Sequence, residues 1–123
     1  MQMTMRWFGP QEDKIPLEYI RQVPGVEGVV GALYDVAPGE VWPVEKIKAL
    51  VDQVHAAGLT MEVIESVNIH DDIKIGTPAR DRYIENYKQT IRNLAGFGVK
   101  IICYNFMPVF DWMKTDMNYV LPD

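Results

Sequence analysis

Three times in 123 residues a helical pattern ends in glycine, one apolar residue follows, and a β-type run begins: Gly25-Val26, Gly58-Leu59 and Gly98-Val99. A junction repeated at this spacing marks consecutive strand–helix units, which pack as a parallel sheet with right-handed crossovers. The segments between the junctions agree. Thr4 to Phe8 is short and aromatic and ends at Gly9-Pro10, as a strand and turn do. Pro16 opens a short helix with Leu17, Ile20 and Val23 on one face, and Val26 to Leu33 reads as a buried strand. Pro43 starts a helix with a stripe of Val44, Ile47, Leu50, Val51 and Val54. Thr60 to Ile64 is a third strand, and a polar loop runs from Ser66 to Gly76. Thr77 and Pro78 start a third helix with Ile84, Tyr87, Ile91, Leu94 and Ala95 inward, and Lys100 to Tyr104 is a fourth strand.

The order βαβαβαβ fits two architectures. An open doubly wound sheet usually carries a glycine-rich phosphate loop after a strand, and neither GxGxxG nor GxxxxGK[ST] occurs here. The other is the (β/α)8 TIM barrel, which takes about 250 residues. The expectation is therefore an α/β chain supplying about the first four strands and three helices of such a barrel, with residues 1–123 as its N-terminal half. Half a barrel leaves two sheet edges and an apolar face without a partner. That implies a longer protein or an associating chain.

Charge narrows the partners. Twelve Lys+Arg against 17 Asp+Glu, a net charge of −5, argue against nucleic acid or an anionic membrane. No apolar run approaches the roughly 18–20 residues of a membrane helix, and Met1 to Arg6 holds no apolar signal core. With the lone Cys103, these features make a cytoplasmic location the expectation.

Barrel sites lie at the C-terminal ends of the strands. That rule selects Arg6, Trp7 and Phe8; Tyr34 and Asp35; Glu65 and Ser66 with His70, Asp71 and Asp72; and Tyr104, Asn105 and Met107 with Asp111 and Trp112. Such polar and aromatic groups on one rim suit a polyhydroxylated or carboxylated small molecule. Arg6 reads as a carboxylate clamp or as the ion-pair partner of Glu65. Asn105 reads as a site residue or a turn cap, and His70 as a site residue or part of a solvated acidic loop. His55 reads as a surface histidine at a helix end, Cys103 as a buried thiol, and Trp7, Trp42, Phe110 and Trp112 as core or rim packing before substrate stacking. One cysteine and two separated histidines give no metal site.

Four stretches resemble the N-terminal part of the mannonate dehydratase family. They are Arg6-Trp7-Phe8-Gly9, Gly39-Glu40-Val41-Trp42, Val63 to Ser66 with Ile69 to Lys74, and Tyr104-Asn105-Phe106-Met107-Pro108-Val109-Phe110-Asp111-Trp112. Tyr83 to Tyr87 and Gln89 to Leu94 are similar too, so the resemblance runs from Met1 to Asp123. It implies a xylose-isomerase-like barrel that eliminates water from D-mannonate to give 2-keto-3-deoxy-D-gluconate in hexuronate breakdown. It implies Mn²⁺ or Fe²⁺ held by ligands of the second half, so that this segment binds none by itself. It offers Arg6, Trp7, Glu65, His70 and Asn105 as substrate-pocket residues, with the catalytic groups expected in the second half. A homo-oligomer is expected, and the 123-residue chain alone is expected to be inactive. Two other readings stay open: a sugar isomerase or epimerase on the same barrel, and a non-catalytic half barrel that assembles with itself or another chain.

Overall fold

The computed structural model describes residues 1–107, 115–116 and 118–122. Four parallel strands lie in chain order: β1 (Met3–Arg6), β2 (Val26–Gly31), β3 (Thr60–Ile64) and β4 (Ile101–Ile102). The described connections carry α1 (Leu17–Arg21), α2 (Val44–Ala56), α3 (Asp71–Ile75) and α4 (Arg80–Ala95). The mixed α/β class and the parallel sheet expected from the glycine junctions are both present. Among the described residues no helix is long and apolar enough to cross a membrane.

Strand order equal to chain order has a geometric consequence. Successive right-handed crossovers that step the same way place their helices on one face. The register shows it. Gly31, Ile64 and Ile102 are lateral neighbours, and Gly31 and Ile64 are buried. Arg6, Val30, Val63 and Ile101 form the adjacent row. There Val30 and Val63 are only half-buried and Ile101 is 56% exposed. Under the covered face, Val29, Ile47, Met61, Val54, Ile64 and Leu94 make the core. Each such side chain contributes about 1.5–3 kcal/mol by leaving water.

Several details depart from the sequence expectation, among them β1, which ends at Arg6, and Val23 and Val44, which are exposed. The loop from Ser66 to Gly76 contains α3: His70 caps its start, and Gly76, at φ 74°, ends it in the left-handed conformation that glycine adopts without strain. Five residues without an apolar stripe give no periodic signal. The inward face of α4 is Tyr87, Thr90 and Leu94, while Ile91 is 39% exposed and Ala95 is exposed. The buried Thr90 accepts a backbone bond there, so a polar position took the place of an apolar one. Residues 32–33 lie beyond the end of β2. The fourth strand is two residues long; its flanks still bond to β3 through Lys100 N to Glu62 O and Cys103 N to Ile64 O. Phe110, Asp111 and Trp112 lie outside the described residues.

Candidate functional site at the strand ends

The rim beyond the C-terminal ends of the strands holds three groups of side chains. Arg6 closes β1. Its Nη1 donates to Val30 O at 3.0 Å and its Nη2 to the Tyr34 hydroxyl at 2.6 Å. Its guanidinium lies 4.6 Å from the Phe8 ring centroid, a cation–π contact. A planar fork held on two sides and one face is already oriented for a carboxylate. Burial raises the Tyr34 hydroxyl above its ordinary range, and the nearby Arg6 charge partly offsets this. The Arg6–Glu65 ion pair is not formed: the described ion pairs include none between them, and Tyr34 takes that place. Asp13 shapes the next turn by accepting from Phe8 N and Ile15 N. Those two bonds hold its carboxyl below the usual carboxylate range, Ile15 contributing more.

The second group joins β3 to β4. Asn105 Nδ2 donates to Ser66 Oγ at 3.0 Å, and Ser66 Oγ donates to Asn68 Oδ1 at 2.9 Å. Asn105 therefore binds a side chain across the strands and does not cap its own turn. Glu65 is half-buried beside them, its backbone N–H bonded to Gly31 O. Asp35 belongs to neither group; Lys46 of α2 holds it at 2.7 Å, and that bond lowers its pKa.

The third group lies on α3 and α4. His70 stacks on Tyr83 with ring centroids 3.7 Å apart. The loop that leads into α2 is fastened over α4 by three bonds. Asn86 Nδ2 donates to Gly39 O, Thr90 Oγ1 accepts from Trp42 N, and Asn93 Nδ2 donates to Trp42 O, at 2.9, 3.1 and 2.9 Å. Positions 86, 90 and 93 share one helix face by the 3.6-residue period. The sequence reading passed over this stripe because it sought apolar residues; the i, i+4, i+7 spacing of Asn, Thr and Asn was the available signal.

Arg6, Glu65, His70 and Asn105 thus stand at the rim, as expected. Trp7 departs from the pocket role implied by the resemblance and takes its packing reading instead. It is 2% exposed and belongs to the core, because the residue after Arg6 points to the opposite, covered face. Trp42 is likewise buried. His55 is exposed in the last turn of α2, as read, and Cys103 is a half-buried free thiol, less enclosed than expected. Among the described residues no three His, Cys, Asp or Glu side chains could hold a metal ion.

A parallel βα sheet covered on one face, with a cationic fork, a carboxylate, amides and an imidazole at its strand ends, defines an α/β segment whose polar rim has the chemistry to bond small polar molecules. The family model for D-mannonate dehydratase (UxuA) matches residues 1–123, and the chain belongs to that family. Mannonate dehydratases of Lactococcus lactis, Thermotoga neapolitana and Geobacillus thermodenitrificans are 68%, 66% and 62% identical to it over all 123 residues. These cover 34%, 34% and 33% of the relatives, so the chain spans about a third of their length. The crystal structure of mannonate dehydratase from Streptococcus suis serotype 2 superposes with a TM-score of 0.94 at 50% identity, covering all of this chain and 35% of that one.

Proposed function

We propose that residues 1–123 supply the first four strands of a (β/α)8 D-mannonate dehydratase, in which they form part of the sugar-acid pocket. The reaction is elimination of water from D-mannonate to 2-keto-3-deoxy-D-gluconate. The observation that carries this reading is the match of the whole chain, at 62–68% identity, to relatives that bear the name mannonate dehydratase. The rim supports it. Arg6, already fixed by Tyr34 and Phe8, receives the substrate carboxylate. Asn105 and Ser66 bond hydroxyls, and Glu65 accepts from one. Trp7 packs in the core on the covered face and does not touch substrate.

The Mn²⁺ or Fe²⁺ implied by the resemblance does not fit the described residues. Its ligands belong to other parts of a longer protein. The catalytic base belongs there too. A cytoplasmic location, a homo-oligomeric assembly and inactivity of the 123-residue chain alone form part of the same proposal.

The test is turnover by the longest product of the gene that carries these residues, supplied with Mn²⁺ or Fe²⁺. Keto-acid formation from D-mannonate is expected. Arg6→Lys, which loses the fork and the stacking plane, should raise KM roughly tenfold with a smaller change in kcat. Isomerisation of free aldoses without mannonate turnover would overturn the reading in favour of a sugar isomerase.

A further inference from the structure

The His70 ring is fixed by more contacts than packing alone requires. Its Nδ1 accepts the backbone N–H of Asp72 at 3.1 Å. An acceptor nitrogen carries no hydrogen, so the ring hydrogen of the neutral imidazole is on Nε2. The Asp72 carboxylate lies 3.6 Å from the same Nδ1. Both atoms are acceptors, and the shorter, directional backbone bond decides the arrangement. One ring face is stacked on Tyr83, 3.7 Å between centroids and 11° from parallel. That is closer than the 4.5–7 Å common for aromatic pairs, so surrounding structure sets the spacing. The setting is visible: α4 carries Tyr83, and Asn86, Thr90 and Asn93 fasten α4 to the Gly39–Trp42 loop. Gly39 completes the enclosure. A Cβ there would lie 2.6 Å from Tyr83 Cδ1 and 2.8 Å from His70 Cδ2, and its φ of +86° already excludes most side chains.

The free side of the ring is different. Nε2 makes no hydrogen bond to a described residue, and 27% of the side chain stays exposed. The ring lines an open recess of about 480 Å³ together with Asn68, Asp71, Lys74 and Met107. We propose that Tyr83 and Gly39 are positioning residues that hold His70 in its Nε2–H tautomer, so that it gives one fixed hydrogen bond to an oxygen of the sugar-acid substrate. A neutral ring with hydrogen on Nε2 offers the recess no lone pair, so His70 is not the base that removes the substrate proton. The substrate half of the proposal rests on the dehydratase reading; the tautomer half does not.

The experiment is ¹⁵N NMR of histidine-labelled full-length product, with the His70 signals assigned by their loss in His70→Gln. In the wild type one nitrogen is expected as a protonated Nε2 and the other as an unprotonated Nδ1, with no averaging. Tyr83→Leu should turn this pattern into averaged tautomer signals and raise KM for mannonate five- to tenfold, with kcat changed less than twofold. Tyr83→Phe, which keeps the ring, should restore both. An averaged or Nδ1–H pattern in the wild type overturns the proposal, and needs no variant to fold. So does a folded Tyr83→Leu protein with the wild-type spectrum and KM. The expected spectra without any mannonate turnover would sustain the lock and overturn its assigned ligand.

Discussion

On the helix side of the sheet, Val29 and Ile64 have no contact with water. One residue along each strand, Val30 and Val63 are half-buried and Ile101 is 56% exposed. The two sets are equally apolar and β-branched. Their chemistry does not decide which is covered; the connections do. Among the described residues, each crossover brings its helix to the same side of the sheet. The exposed row is therefore no defect of composition. It is a surface that the described residues leave uncovered, and it ends at Arg6, where the candidate site begins.

The sharpest way to break this contrast is a matched pair. Ile64→Ala should cost about 3 kcal/mol in denaturant unfolding of the 123-residue chain, because it opens a cavity in a closed core. Ile101→Ala should cost less than about 1 kcal/mol there, since most of that side chain is already wet. In the full-length product the second cost should climb toward the first. Equal costs in the short chain would mean that its exposed face is covered by a second copy.

Thr90→Val comes next. It keeps the volume but removes the acceptor of the Trp42 N–H, and should cost roughly 1–3 kcal/mol of stability. Thr90→Ser should recover most of it. A neutral Thr90→Val would show that cover on the helix side is apolar packing alone.

The smallest effect belongs to a turn outside both faces. The Asp13 carboxyl is held below its ordinary range by the Ile15 and Phe8 N–H groups. Its contribution is therefore fully present above about pH 4, the unfolded value, and is lost as pH falls through the lower folded value. Asp13→Asn should lower stability at neutral pH, and the gap to wild type should narrow below pH 4. A constant gap from pH 7 to pH 2 would remove Asp13 from the account.

Much of this architecture was legible in the residues. The glycine junctions gave the parallel order, and the strand-end rule placed Arg6, Glu65, His70 and Asn105 on one rim. What escaped was short or polar. The helix Asp71–Ile75 has too few residues for a period, and its cap is a histidine, which no capping rule favours. The inward stripe of Asn86, Thr90 and Asn93 looks solvent-facing until the loop backbone it binds is known. Trp7 kept two readings, packing and pocket, because adjacent strand residues face opposite sides and aromatic character gives no hint of which; burial selects packing. The Arg6–Tyr34 bond was missed because opposite charge made Glu65 the obvious partner.

The agreement of strand order with chain order also bears on how the protein is made. Among the described residues, β1, β2 and β3 each pair with the strand that follows them in the chain. A chain leaving the ribosome can add one strand–helix unit at a time to an existing edge, keeping its loop-closure cost small at each step. The four strands can thus assemble stepwise, each unit adding to the edge left by the one before it.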